Sequence, residues 1–441
     1  MITIKGFTKA KKALARTVPL EYATSSETGK SGSGKKALST EDIVRQIIAG
    51  VQAKGDKALF DYTRKLDKVK LASLEVTPDE ISEAFEKVDK KLISALNLAA
   101  RRCTRFHKNC KQKLETGFIN DGIGCQVRPL DRVGIYVPGG TAAYPSTVLM
   151  TATPARAAGV REIIMVTPPQ KDGSIPAPTL VATRIAGVDR IFKLGGAQAI
   201  AALAYGTKSV PRVDKICGPG NIFVAIAKKL VFGVVDIDGI QGPSEIIIIA
   251  DSTARASFCA ADFIAQSEHD TMASSILITD SPKLAGDVAD EITKQLKKLK
   301  RRKIASAAID SRGMIVLVNN LDEAVELANL YAPEHLLLMV RNAGSYIKRI
   351  NNAGCVFIGE TSPVVLGDYI AGPSHVLPTG GTARFSSPLG VSDFLKTINI
   401  VALKKDKLKA LGKATIDIAE AEGLQGHAQA IKIRLPETKR R

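Results

Sequence analysis

No stretch of this chain strings eighteen apolar residues together; the purest run, EIIIIAD at 245–251, has only the length of a strand. A membrane-spanning helix needs about twenty such residues, so none is expected. Cysteine is scarce: six residues (103, 110, 125, 217, 259 and 355), no CxxC, and only Cys103 and Cys110 close together. That excludes a disulfide scaffold and points to a reducing, cytoplasmic home. Glycine occurs 36 times without a triplet repeat, which excludes collagen. No GxGxxG occurs, so the usual dinucleotide fingerprint is missing. What is present is 45% hydrophobic and 24% charged, too apolar for a disordered chain. At 441 residues the chain exceeds one ordinary core and calls for several domains.

Net charge is +18, from 62 basic and 44 acidic residues. The excess is clustered at Lys294, Lys297, Lys298, Lys300, Arg301, Arg302 and Lys303, at Lys404, Lys405, Lys407 and Lys409, and at Lys439, Arg440 and Arg441. Such clusters attract anions in general. No zinc finger, RNP motif or interleaved aromatics accompany them, so specific nucleic-acid binding is not expected. The 294–303 run reads as a solvated helix face with Ile292, Leu296 and Leu299 turned inward. GKSGSGKK at 29–36 nearly spells a phosphate loop, but Lys36 stands where a hydroxyl should hold magnesium, and no apolar strand precedes it. Residues 1–38 therefore read as an exposed basic arm and linker.

From Ser39 a helical pattern runs through IVRQIIAGVQAKGDKALFDYTRKLD, and another covers roughly 78–112. From 133 onward short β-rich runs alternate with Ala-rich helical runs: VGIYV, EIIMVT, RIFKL and VDKIC, then EIIIIAD, SSILITD, GMIVLVNN, HLLLMV and GCVFIGE. The alternation predicts an α/β protein with two Rossmann-like units, each a parallel sheet with covering helices, plus small helical segments at both ends. A charged helix is expected over 282–303.

Only five histidines occur, so each is informative. His107, in a basic helical context, reads as structural or surface. Gln266 and His269 are three apart and share a helix face; imidazole and oxygen ligands suit zinc or another divalent ion, against the simpler reading of a capping histidine. Glu334 and His335 are adjacent after Pro333, where a turn lets a carboxylate and an imidazole reach one pocket and act as a base pair near neutral pH. Otherwise they are solvated charges at a corner. His375 follows Asp368 by seven residues, and His427 follows Glu422 by five. Glycine-rich loops stand at strand ends (138–140, 195–198, 218–221 and 241–245), where backbone N–H groups can approach phosphates or a dinucleotide. Cys217 invites a nucleophile reading, but a small buried thiol is the simpler one.

Taken together, VGIYVPGGTAAYPSTVLM, GGAQAIAALAYGT, ICGPGN, GPSE, AQSEHD, YAPEHL, GDYIAGPSHVLPTGGTARFSSPL and AEGLQGH resemble the histidinol dehydrogenase family, in the family's order, over about 130–430. The resemblance implies NAD and one zinc per subunit as cofactors, and a four-electron oxidation of L-histidinol through the aldehyde to L-histidine. By resemblance the metal ligands are Gln266, His269, Asp368 and His427. Glu334 and His335 are the catalytic pair, with His335 as general base and Glu334 activating water. Ser244, His375 and Glu422 contact substrate, and Tyr136, Gln198 and Asn221 surround the NAD. Ser374 departs from the asparagine many members carry.

The implied organisation is an arm (1–38), a discontinuous metal and catalytic domain (39–132 with 243–388), an NAD-binding domain (133–242), and a C-terminal helical segment (389–441) that completes the partner's site in a homodimer. A related dehydrogenase of another small amino or sulfonated alcohol is the alternative, and a basic nucleic-acid-binding protein on a vestigial enzyme fold is the reading from another class.

Overall fold

In a computed structural model, which describes residues 1–16, 38–114, 117–139 and 143–435, the β-rich runs become strands. The near phosphate loop at 29–36, Gly140 of the first glycine loop and the basic tail at 439–441 lie outside the described residues. In chain order the strands are Ile2–Lys5 (β1), Gly117–Asn120 (β2), Ile123–Pro129 (β3), Arg132–Tyr136 (β4), Glu162–Thr167 (β5), Arg190–Lys193 (β6), Lys215–Cys217 (β7), Asp236–Ile237 (β8), Glu245–Ala250 (β9), Ser274–Thr279 (β10), Met314–Leu317 (β11), His335–Met339 (β12), Cys355–Ile358 (β13) and Leu395–Val401 (β14). Contacts divide the chain into a large unit (1–111 with 130–394) and a small one (112–129 with 395–441).

The large unit holds two parallel sheets. One runs β6-β5-β4-β7-β8, the other β1-β11-β10-β9-β12-β13. In the second, alternate residues feed opposite cores: Ile246, Ile248 and Leu337 on one face, Ile247, Ile249, Leu336 and Leu338 on the other. Helices cover both faces, so β9 is buried throughout, as an internal parallel strand requires. Each such side chain stabilises the fold by roughly 1.5–3 kcal/mol.

Several expectations are revised. Residues 2–14 do not form a free arm. β1 pairs in parallel with β11, and helix Phe7–Leu14 buries Ala10 and Leu14 in the core under that sheet. Ile4, Phe7, Ala10 and Leu14 make the apolar stripe, and the lysines between them face solvent. Helix Thr40–Lys54, capped by Ser39, packs Val44, Ile47, Ile48 and Val51 with Ala199 to Ala204 in the core of the five-stranded sheet, not with the metal and catalytic residues. The charged stretch at 282–303 is two helices, Pro282–Leu296 and Arg302–Arg312, with Ile292 buried and Leu296 and Leu299 packed against the core.

The small unit is an antiparallel sheet, β14-β3-β2, with two helices, Lys405–Ala421 and Gln425–Lys432. The segment from 389 is therefore not wholly helical: residues to Phe394 belong to the large unit, and β14 follows. Among the described residues no helix is long and apolar enough to cross a membrane.

Candidate active site

Helix Leu321–Tyr331 ends where Ala332 takes a left-handed conformation (φ 52°), and Pro333 then blocks any further helical turn. The chain reverses into β12, which begins at His335. This corner lies between β9 and β13, so Glu334 and His335 are buried at the leading edge of the sheet. Their side chains meet: His335 Nδ1 is 3.5 Å from Glu334 Oε2.

Residue 245, first in β9, holds both. Its backbone N–H donates to Glu334 Oε2 at 2.8 Å, and its carbonyl oxygen lies 3.1 Å from His335 Nδ1. Nδ1 therefore carries a proton toward the carbonyl, and Nε2 is the nitrogen left on the far side of the ring. There it meets Asp368 Oδ1 at 3.6 Å. Burial opposes charge on His335, but Glu334 and Asp368 outweigh it and hold its pKa well above the ordinary value.

Asp368 rides on helix Val364–Tyr369, whose first N–H is capped by Asp262 at 3.2 Å. Burial, aided by the charge of Asp368, lifts Asp262 to about 6. Gly367 lets that helix approach β13: a Cβ there would stand 2.6 Å from the Phe357 ring, itself 5.9 Å from the His335 ring. Burial pushes the Asp368 pKa up, yet His335, His375 and His269 together hold it below its ordinary value. His375 turns its Nδ1 onto the Asp368 carbonyl at 2.8 Å. Burial lowers its pKa despite the neighbouring Asp368.

Helix Ala256–Ser267 ends just beyond Gln266, so Gln266 is buried while His269 stands exposed past the helix end. The Gln266 Nε2 is buried without a partner. Ser244 immediately precedes Glu245, and its carbonyl accepts from Ser274 N. Ser374 Oγ donates to the Met150 carbonyl and accepts from Val376 N, so the departure at this position braces backbone. Thus Gln266, Glu334, His335, Asp368 and His375 are buried or half-buried, and Asp368 is in electrostatic reach of three histidines. Glu422 and His427 are exposed in the small unit.

A second set gathers at the carboxyl ends of the five-stranded sheet. After β6 the chain returns past β4 to place β7 on its other side, which makes a switch point between β4 and β7. Crevices at such points receive nucleotides. Tyr136 ends β4, and its hydroxyl accepts from Gly196 N at 3.2 Å. Burial, with Asp67 nearby, raises its pKa to about 12. Gln198 is buried with Nε2 3.5 Å from Asp67 Oδ2 and Oε1 unbonded. Burial lifts Asp67 to about 6. Only glycine fits at 218, where φ is +111° and a Cβ would be 2.1 Å from the Tyr136 carbonyl. Buried Lys228 bonds the Gly218 carbonyl and the Asp238 carboxylate, while Asp238 accepts from Gly218 N, so this loop is fixed from below. Asn221 caps helix Ile222–Val231 through Phe223 N and Val224 N. Cys217 is wholly buried, and burial pushes its thiol far above the ordinary value, so it is no thiolate.

Sequence reasoning missed Glu245 and Asp262. GPSE drew attention to Ser244, and an acidic residue opening an apolar strand reads as a solvated strand end. Asp262 sits mid-helix among apolar residues, where its burial was the available signal.

Residues 31–435 match the family described as histidinol dehydrogenase. A histidinol dehydrogenase of Dehalococcoides mccartyi (strain CBDB1) is 52% identical over 436 residues, covering 99% of this chain and 100% of that protein. One of Clostridium acetobutylicum is 51% identical, with 92% and 94% covered. The crystal structure of histidinol dehydrogenase from Elizabethkingia anophelis superposes with a TM-score of 0.89 at 35% identity, over 98% of both chains. With this similarity running from end to end in sequence and in fold, the chain belongs to the histidinol dehydrogenase family of oxidoreductases.

Proposed function

We propose that the chain oxidises L-histidinol through L-histidinaldehyde to L-histidine in the cytoplasm, with NAD and one zinc per subunit. The observation that carries the reading is the setting of His335: Nδ1 is tied to the Glu245 carbonyl, and Nε2 points to Asp368. In its neutral form, which zinc ligation by Asp368 would favour by drawing that carboxylate's charge away, a base so oriented takes the alcohol proton on Nε2 as hydride leaves the carbinol carbon. Glu334 and Asp368 stabilise the imidazolium that results. At the aldehyde stage Glu334 takes a proton from water. Its Oε2 is held by Glu245 N, which leaves Oε1 for that proton.

The donor set fits zinc by its chemistry: the amide oxygen of buried Gln266, the His269 imidazole and the carboxylate of Asp368, which is in electrostatic reach of His269. Bound there, zinc supplies a Lewis-acid anchor for the substrate's imidazole and amino nitrogen. NAD, when bound, accepts the hydride of each oxidation. The β4–β7 crevice, at the switch point of the five-stranded sheet, fits a nucleotide near Tyr136, Gln198 and Asn221. Ser244 and His375 complete the substrate's surroundings.

His427 as fourth ligand and Glu422 as substrate contact come, on this reading, from a second subunit of a homodimer. Support lies in the small unit's sheet, which leaves apolar residues exposed on both faces, Phe118, Ile123 and Val401 on one and Ile119 and Ile398 on the other. Apolar surface left open on both faces of a three-stranded sheet favours association. The test is turnover of histidinol by zinc-loaded protein with NAD. Two NADH per histidine formed are expected. No NADH from histidinol, with turnover of a different amino or sulfonated alcohol, would overturn the substrate assignment.

A further inference from the structure

Glu245 touches the side chains of both members of the catalytic pair, and it does so through its backbone. Its side chain turns the other way, into the protein, and is 9% exposed. There its Oε1 meets Arg16 Nη1 at 2.8 Å. Arg16 lies ahead of the family-matched span of residues 31–435. It follows helix Phe7–Leu14, which β1 and the buried Leu14 fix to the six-stranded sheet. The guanidinium also stacks 3.8 Å from the centroid of the Tyr331 ring, and the Tyr331 hydroxyl donates to Ser274 Oγ at 3.1 Å. Tyr331 is the last residue of the helix that turns into Glu334 and His335. One side chain thus contacts the start of β9 and the helix end that leads into β12. On its remaining side Gly381 makes room, since a Cβ there would stand 2.9 Å from Arg16 Cδ.

We propose that Arg16 is a positioning residue for the oxidation of histidinol, acting through Glu245 to fix the orientation of Glu334 and His335. A carboxylate as buried as Glu245 is stable there only with a partner. Without Arg16 only the Gly380 backbone N–H remains, among the described residues, against the charge, and the carboxylate gains a proton or moves toward water. Movement carries the residue 245 N–H and carbonyl with it, and these are the groups that hold Glu334 and the His335 tautomer. The inference rests on the proposed function, so the experiment begins with the parent protein turning over histidinol.

In the zinc-loaded full chain, Arg16→Met should lower kcat on the order of a hundredfold, the loss expected of reacting groups misplaced by about 1 Å. The zinc content should stay near that of the parent, because Gln266, His269 and Asp368 do not touch Arg16, and the KM for histidinol should change less than kcat. Arg16→Lys keeps the charge and should retain more activity than Arg16→Met. It also serves if Arg16→Met fails to fold. Combining Arg16→Met with Glu245→Gln removes both charges and should recover kcat relative to Arg16→Met alone. A parent that oxidises histidinol while Arg16→Met matches its kcat would overturn the inference and leave the function standing. So would a double variant no better than the single, or a loss seen in KM or zinc instead of kcat. A parent inactive on histidinol would overturn the function itself.

Discussion

His107 offers a test of how the structure treats an unpaired buried base. It sits on helix Lys90–Lys113, on the stripe formed by Leu96, Ala99, Ala100 and Cys103. It is 1% exposed, with an edge-on contact to Phe106 and no hydrogen bond on either ring nitrogen. Burial lowers its pKa from 6.5 to about 4. The folded state therefore refuses a proton that the unfolded chain takes up below the ordinary value. The stability at stake is fully present above pH 6.5, falls as the pH drops toward 4, and falls no further below that. The whole gap is worth about 3 kcal/mol, of which about 2 kcal/mol is lost by about pH 5. His107→Leu removes the titration. Its packing change is the same at every pH, so the difference between two pH values isolates the proton. Denaturant unfolding followed by circular dichroism at about pH 7.5 and about pH 5 should show the parent losing about 2 kcal/mol more than the variant. Equal losses would mean that His107 is hydrated or hydrogen-bonded, and the reasoning would fail.

Other changes probe the site. Glu334→Gln should slow aldehyde oxidation more than the first step, so a single turnover should release one NADH quickly and the second slowly; equal slowing of both would remove Glu334 from water activation. His269→Ala and His427→Ala should each lose zinc and activity together in metal analysis, and a fully loaded variant would show that ligand assignment to be wrong. Cys217→Ser should keep most of its turnover, because the thiol is buried and protonated; a folded but inactive variant would restore it as a nucleophile.

Much of the fold could be read from hydrophobic runs. EIIIIAD and HLLLM are continuous because parallel strands inside a covered sheet are buried on both faces. The corner at Pro333 was readable for the same kind of reason, since proline and a following strand leave little alternative. The N-terminal segment was misread because its lysine density hides a four-residue apolar stripe that only pairing with β11 reveals. Helix Thr40–Lys54 shows its amphipathic face in sequence, but nothing local says which of two similar sheets that face will meet. Gln266 and His269 have helical spacing, yet the helix stops between them, so one is buried and the other exposed. Glu245 and Arg16 were invisible for a different reason. Their importance lies in a contact between residues far apart in the chain, and Glu245 acts through backbone atoms that every residue has.

The most direct measurement is a crystal structure of the zinc-loaded protein with histidinol bound. Gln266, His269 and Asp368 should ligate the ion together with a His427 from a second chain, and His335 Nε2 should face the substrate's hydroxyl. Zinc held elsewhere, or a hydroxyl out of reach of both Glu334 and His335, would contradict the account.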